Sequence, residues 1–207
     1  MKTEVLSAAK PENLSQALKI LKEGGMVAFP TDTIYGVGVS AFLGQAIARI
    51  YDAKGRSREN PIPILIANMQ DLSRVSLSPP PMARRLAKRF WPGPITLIVW
   101  RKPTLPDEIS PMSTVGVRVP DHPVAQSLLT IAGPMAVTSA NRSGDPIACT
   151  ASEVLEGLGG RIDLILDGGR TPGGQPSTVV DCTKASPRIL REGPISEAEI
   201  QEVLTKG

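Results

Sequence analysis

The sequence predicts an α/β fold in which a mixed β-sheet is flanked by helices. Short apolar runs that read as strands alternate with segments whose apolar residues recur at helical spacing, about seven runs to five or six helices. Near the C-terminus, strand-like runs follow one another with no helix between them, so the sheet should be mixed rather than purely parallel. The composition, 41% hydrophobic and 21% charged over 207 residues, is that of a chain able to bury a sizeable core. Gly and Pro make up 39 residues, dispersed among the apolar runs as turns.

Leu14, Ala17, Leu18 and Leu21 mark one face of a first helix that should stop at Gly24-Gly25. Met26 to Phe29 reads as a strand that delivers Thr31, Asp32, Thr33 and Tyr35 at its end, where α/β sheets meet their ligands. Such a stretch also reads as an Asx/Thr turn. Gly36, Gly38 and Ala41 then spell G-x-G-x-x-A before a helical pattern at Ala46, Ile47, Ile50 and Tyr51. A dinucleotide fingerprint needs a tight turn straight after the strand, and here Thr31 to Tyr35 intervene. The segment Lys54-Gly55-Arg56-Ser57-Arg58-Glu59-Asn60-Pro61 puts three cations within five residues. They suit a polyphosphate, and equally a solvated helix end that complements the macrodipole.

Ile62 to Ala67 is strand-like, with Pro63 hinting at an edge. Pro79 to Pro81 open a basic amphipathic helix with Met82, Leu86 and Phe90 inward, and Arg84, Arg85, Lys88 and Arg89 forming a solvated face. After a Trp91-Pro92-Gly93-Pro94 turn, Ile95 to Trp100 is a strand, both tryptophans being read as packing groups. Thr114 precedes a strand, Val115 to Val119, whose Arg118 must face solvent or an anion. Val124 to Ile131 is helical up to Gly133, and the strand Met135 to Val137 delivers Thr138-Ser139-Ala140-Asn141. Thr150 and Glu153 form a capping box. Strands follow at Ile162 to Leu166, Ser177 to Cys182 and Arg188 to Arg191, and Ser196 caps a last helix. The loop Arg170 to Pro176 lacks the Gly-Lys-Ser/Thr of a P-loop.

Several classes of function are disfavoured. No apolar run reaches the roughly 18 residues of a membrane span. The N-terminus lacks an apolar signal core, so a cytoplasmic protein is expected. Cys149 and Cys182 are read as two buried thiols, without zinc spacing. The single histidine, His122, excludes a multi-histidine metal site and suits a turn at a helix start. A net charge of +3 permits an anionic ligand without demanding nucleic acid, and 3% aromatics argues against base stacking.

Hydroxyls and cations recur together at strand ends: Thr31 and Thr33, Lys54 and Arg56, Thr114 and Arg118, Ser139 and Asn141, Ser177 and Arg191. This repetition points to one concave anion site without a covalent nucleophile. Phosphoryl or nucleotidyl transfer, which rests on positioning and electrostatics, fits such a site.

Seven segments in order carry a resemblance over nearly the whole chain. They are FPTDTIYG (Phe29 to Gly36), KGR-x-x-x-NP (Lys54 to Pro61), FWPGPITLI (Phe90 to Ile98), VGVRVPDHP (Val115 to Pro123), TSANRSG (Thr138 to Gly144), STVVD (Ser177 to Asp181) and REG (Arg191 to Gly193). Together they resemble the YrdC-like domain of threonylcarbamoyl-adenylate synthases. The resemblance implies a single YrdC-like domain over 1–207, a twisted mixed sheet with a concave, positively charged face. It implies a nucleotidyltransferase that joins L-threonine, bicarbonate or CO2 and ATP into threonylcarbamoyl-AMP and pyrophosphate. A partner transferase complex would carry the group to tRNA, and direct contact with tRNA is open. By position, Thr33, Arg118, Val137 and Ser177 would meet threonine. Arg56, Asn60, Thr114, Ser139, Ile147 and Arg191 would meet ATP, and Lys54 with Arg56 would be catalytic. Val137 and Ile147 could serve only through their backbones. Mg2+ would arrive with the triphosphate, Asp32 being the one carboxylate to consider.

The chain departs from the family pattern in places. Ser57 stands where many members have Pro, and Leu65 where His is frequent. The chain stops soon after Arg191-Glu192-Gly193, so the short form without an extra C-terminal domain is expected, with part of the ATP side open. The same basic face would suit a double-stranded RNA or tRNA-binding module without catalysis, which steep salt dependence and indifference to threonine would reveal. A nicotinamide enzyme would rest on Gly36, Gly38 and Ala41 alone.

Overall fold

A computed structural model describes residues 2–172 and 174–206; Met1, Gly207 and Gly173 of the glycine-rich loop lie outside the described residues. Among the described residues the chain forms ten strands in one mixed sheet and seven α-helices, more strands than the sequence suggests. In chain order these are β1 (Glu4–Ser7), α1 (Pro11–Lys22), β2 (Val27–Pro30), β3 (Tyr35–Ser40), α2 (Gly44–Lys54), β4 (Ile64–Leu65), α3 (Leu72–Val75), α4 (Pro81–Phe90), β5 (Ile95–Trp100), β6 (Thr114–Arg118), α5 (Pro123–Ala132), β7 (Met135–Ser139), α6 (Ala151–Leu158), β8 (Leu164–Asp167), β9 (Thr178–Asp181), β10 (Arg188–Arg191) and α7 (Glu197–Thr205). The strand order is β1-β8-β2-β3-β7-β4-β6-β5-β9-β10.

Two strands escape the sequence pattern. β1 is an edge strand paired only with β8, and its Glu-Val-Leu-Ser is mostly exposed, with no apolar run to announce it. β3 is not assigned from the sequence, where Gly36 and Gly38 register only as part of a G-x-G-x-x-A pattern. Both glycines are required by its neighbour on β7. A Cβ at either would come within 2.7 Å of the Val137 side chain, which lies flat over β3. The apparent G-x-G-x-x-A therefore sits inside a strand, which removes the dinucleotide reading. β2 and β3 form an antiparallel hairpin with Pro30 opposite Tyr35, so Thr31 to Ile34 make its loop. The strand expected at Ile62 to Ala67 shrinks to Ile64–Leu65.

Strand alternation sends side chains to two cores. On one face Ala28, Tyr35, Val37, Ile64, Leu97 and Val117 pack against α2, α4 and α6. Tyr35 thus points into the core, with its hydroxyl donating to the Gly169 carbonyl at 2.7 Å, and not into a ligand site. Burial pushes its pKa up to about 12. On the other face Val27, Phe29, Leu65, Met135, Val137, Leu164 and Leu166 pack against α1 and α5. That cover ends at β4. Beyond it, on β6, β5 and β9, Thr114, Ile98, Val179 and Asp181 stay half-buried. This uncovered part of the sheet positions the site.

Smaller expectations resolve at the surface. His122 caps α5, its Nδ1 accepting the Val124 N–H at 3.3 Å. The capping boxes at Thr150/Glu153 and Ser196/Glu199 are both formed. Cys182 is buried as expected, whereas Cys149 is half-buried; both are free thiols. Arg85 is not on a solvated face: it donates to the Val203 and Leu204 carbonyls at 2.7 and 2.9 Å and ties α4 to α7. Trp91 packs, but Trp100 is exposed.

Candidate active site

Pairing registers bring the expected residues onto one sheet face in three rows. One row runs Gly36, Ser139 on β3 and β7, with Thr114 of β6 at the corresponding level. The next holds Gly38, Val137, Pro63, Gly116 and Ile98. The third holds Met135, Leu65, Arg118, Thr96 and Val179. Two members of the middle row are glycines with no room for a side chain: a Cβ at Gly38 would meet Val137 Cγ2 at 2.7 Å, and one at Gly116 would meet Thr96 Cγ2 at 2.9 Å. Pro63 stands opposite Val137 and accepts its N–H at 2.9 Å. Having no N–H, Pro63 returns nothing to the Val137 carbonyl, which keeps that acceptor free of the ladder.

The β2–β3 loop meets the third row. Arg118 is 6% exposed, yet all three of its guanidinium nitrogens have partners. Nε donates to the Gly93 carbonyl at 3.0 Å, Nη1 to Thr33 Oγ1 at 3.1 Å and Nη2 to Asp32 Oδ1 at 2.5 Å. Of the two settings that the sequence leaves open for Arg118, solvent or an anion, the structure gives it an anion of the chain itself, Asp32. Burial works against the guanidinium's charge, and Asp32 works to restore it. Asp32 Oδ2 is buried without a hydrogen-bond partner.

Lys54 ends α2 in a different setting. It is 2% exposed, and its ammonium donates to the backbone carbonyls of Ser139, the last residue of β7, and Asn141 just beyond it. No carboxylate pairs with it. Burial first, and Arg56 second, push its pKa down to about 8, with Asp145 partly opposing. Arg56 is held by the carbonyls of Asn60 and Pro61 at 3.2 and 3.1 Å. Arg191 donates to the Ser177 carbonyl from Nε and Nη2 at 3.0 and 2.8 Å, and to Ser177 Oγ at 3.2 Å. Ser177 Oγ also bonds Thr96 Oγ1 at 2.8 Å. Gly193 is needed here, since a side chain there would overlap the backbone of Ser177 and Thr178.

The cations repel one another in a chain: Arg56 lowers the pKa of both Lys54 and Arg191, and Arg191 lowers that of Arg118. Such an arrangement favours an anion that enters between them. Arg58 does not join it, since it pairs at the surface with Asp52 at 3.5 Å.

Most of the expected residues therefore gather. Lys54, Ser139 and Asn141 share one cluster, Thr33 and Arg118 a second, and Ser177 and Arg191 a third. Ile147 lies beside the β2–β3 hairpin, because its neighbour Ala148 accepts the Tyr35 N–H at 2.9 Å. Asn60 touches Arg56 through its carbonyl only, and its side chain is exposed. Thr114 lies on the same face, half-buried, with no side-chain hydrogen bond. Sequence reading overlooks Asp32 as the partner of Arg118, which stands 86 positions away. It also overlooks Thr96, although a threonine at an inward position of the apolar strand ITLIVW is a visible clue.

Comparison with known proteins decides the kinship. The Sua5/YciO/YrdC family model, described as "Telomere recombination", matches residues 19–193. The chain belongs to this family. A threonylcarbamoyl-AMP synthase of Bacillus subtilis is 42% identical over 208 residues, covering 98% of the chain. The chain spans 59% of that relative's length, but 95% of a Mycobacterium tuberculosis relative that is 41% identical over 207 residues. A crystal structure of P. abyssi Sua5 complexed with L-threonine superposes with a TM-score of 0.93 at 38% identity, covering 99% of this chain and 61% of that one. The family fold is therefore the observed one. Among the described residues no helix is long and apolar enough to cross a membrane.

Proposed function

We propose that this chain is a threonylcarbamoyl-AMP synthase that makes threonylcarbamoyl-AMP and pyrophosphate from L-threonine, bicarbonate or CO2 and ATP. The observation that carries the reading is the division of the sheet face. One end holds Arg118 paired with Asp32, and the other holds Lys54 and Arg56 without a salt bridge, Asp145 acting on Lys54 only as the weakest of its three influences. A net-neutral ion pair suits a zwitterionic amino acid. Uncompensated cations suit a triphosphate. The activity named for the 42%-identical relative joins those two ligands.

The chemistry follows from these placements. The carbamate formed on the threonine nitrogen is itself the nucleophile, so the protein need supply none. A carbamate oxygen attacks the α-phosphorus, the bond from that phosphorus to the bridging oxygen breaks, and pyrophosphate leaves with its electrons. Lys54 and Arg56 stabilise the charge that builds on the phosphates, an electrostatic role that can dominate catalysis in a site shielded from water. Remaining N–H donors of Arg118 receive the threonine carboxylate, and the Val137 carbonyl and Thr33 hydroxyl offer acceptors. Ser139, Thr114, Ile147 and Asn60 lie toward the nucleotide.

Mg2+ would accompany the triphosphate and help neutralise it. No group of three or more acidic, histidine or cysteine residues able to hold a metal exists among the described residues. Asp32 is committed to Arg118. The residues therefore fit an ion carried mainly by the phosphates, as Mg2+ frequently is. The product would pass to a transferase that modifies tRNA.

The test is pyrophosphate release from ATP and Mg2+ with threonine and bicarbonate each present or omitted. Release that requires both is the expected result. Release indifferent to threonine would end the reading, and tRNA affinity against salt would then be the next measurement.

A further inference from the structure

Thr31, counted in the sequence among the hydroxyls of the anion site, is 4% exposed and bonds within the β2–β3 loop. Its Oγ1 lies 2.7 Å from the Ile34 carbonyl oxygen and 3.0 Å from Thr33 Oγ1. A hydroxyl has one proton to give. At Thr31 that proton goes to the Ile34 carbonyl, the shorter contact and one that can only accept. Thr31 Oγ1 therefore faces its neighbours as an acceptor. Its two lone pairs are shared among three donors: the Thr33 hydroxyl, the nearest at 3.0 Å, and the backbone N–H groups of Thr33 and Ile34, which at 3.2 and 3.3 Å divide one lone pair as a weaker three-centre contact. Thr33 Oγ1 in turn receives Nη1–H of Arg118 at 3.1 Å. Its proton is spent and one lone pair is filled, so a single lone pair remains for a ligand.

We propose that Thr31 is a positioning residue that fixes Thr33 as an acceptor-only group. Thr33 then meets an N–H or O–H donor of the amino-acid substrate and never its carboxylate, which falls to Arg118. The inference rests on the amino-acid reading above and sharpens it, because two residues assigned to one ligand are given opposite hydrogen-bonding roles.

The experiment is calorimetric titration of the full chain and its Thr31→Val and Thr31→Ser variants. The ligands are L-threonine, L-2-aminobutyrate (no hydroxyl), 3-hydroxybutyrate (no amine) and ATP. Thr31→Val frees the Thr33 proton to turn into the site, and L-threonine affinity should fall about 10-fold, the scale of one hydrogen bond to a polar or charged ligand group. ATP affinity should stay, and Thr31→Ser should restore threonine binding. The loss should vanish for whichever analogue lacks the donor that Thr33 meets. A folded Thr31→Val with wild-type threonine affinity overturns the proposal. So does an equal loss for threonine and both analogues, or a Thr31→Ser variant no better than valine. If Thr31→Val does not fold, Thr33→Val decides the matter, since equal losses on both analogues again overturn it. A wild-type chain that binds no L-threonine overturns the amino-acid reading as well, whereas threonine binding untouched by Thr31→Val overturns only this step.

Discussion

Two buried cations, Lys54 and Arg118, stand on one sheet face and are treated in opposite ways. Arg118 is met by a carboxylate, a hydroxyl and a carbonyl of the chain itself. Lys54 is hydrogen-bonded by carbonyls alone and repelled by Arg56, with Asp145 only partly opposing. Burying a charge is costly unless it is paired. The Arg118 end is already balanced, and its natural guest brings both signs. The Lys54 end lacks its counter-charge, and its natural guest supplies one. A face with a single uniform charge would not distinguish an amino acid from a polyphosphate, whereas this one does so by leaving the cations of the Lys54 end without a salt bridge.

The sharpest way to break the comparison is to remove the unpaired cation. Lys54→Met keeps the length of the side chain and deletes its charge. Pyrophosphate release should fall about 10²–10³-fold, as when one preorganised electrostatic group is lost. Thermal stability should change little, because relief of a buried charge offsets the loss of the donor to the Ser139 and Asn141 carbonyls. A variant that loses stability in step with activity would show that Lys54 is structural.

Arg118→Ala tests the balanced end and should behave in reverse. The threonine requirement should rise about 100-fold while the ATP requirement stays nearly constant, in line with loss of a charge-assisted contact. Stability should drop by about 3–5 kcal/mol, because Asp32 is left buried and unpaired. Steady-state kinetics with each substrate varied in turn, beside a denaturant melt, reads both effects. Equal rises for threonine and ATP would sink the assignment of Arg118 to threonine.

How much of this contrast was legible in the sequence depends on distance along the chain. The apolar runs of β2, β5, β6 and β7, the capping boxes and the polar clusters at strand ends are local patterns, and local patterns can be read directly. β3 was hidden because its glycines answer to Val137, roughly a hundred residues away, rather than to their neighbours. Arg118 could be read as facing solvent or an anion, but the pleat and register that bring Asp32 to it are tertiary facts. The same holds for Lys54. Its charge is visible in Lys-Gly-Arg, and the carbonyls of Ser139 and Asn141 that enclose it are not. The cations themselves could be listed from sequence; which of them is compensated could not.

The pH dependence sharpens the contrast further. Lys54 has a folded pKa of about 8, below its ordinary 10.5. Above pH 8 the free enzyme loses that charge, so kcat/KM for ATP should fall about tenfold per pH unit there. The kcat profile should hold to higher pH, since bound phosphates favour the charged form. Stability runs the other way. Between pH 8 and 10.5 the unfolded chain binds the proton that the folded chain has lost, so the Lys54 contribution to stability rises with pH. Activity and stability that fall together with one apparent pKa near 8 would contradict this account of Lys54.

The smallest expected effect lies where the two ends join. Ser177 Oγ accepts from Arg191 at 3.2 Å and pairs with Thr96 at 2.8 Å, while the Ser177 carbonyl receives two shorter bonds from the same guanidinium. Ser177→Ala removes the hydroxyl and leaves the carbonyl, so Arg191 keeps its place. The ATP requirement should therefore be unchanged. Threonine affinity should fall about threefold, the lower range for one neutral hydrogen bond. Stability should drop by about 1 kcal/mol as Thr96 loses its partner in a buried position. Threonine and ATP titrations of the variant separate the possibilities. A large loss of ATP affinity would mean that the hydroxyl, not the carbonyl, anchors Arg191, and that the balanced and unbalanced ends are coupled through Ser177 rather than independent.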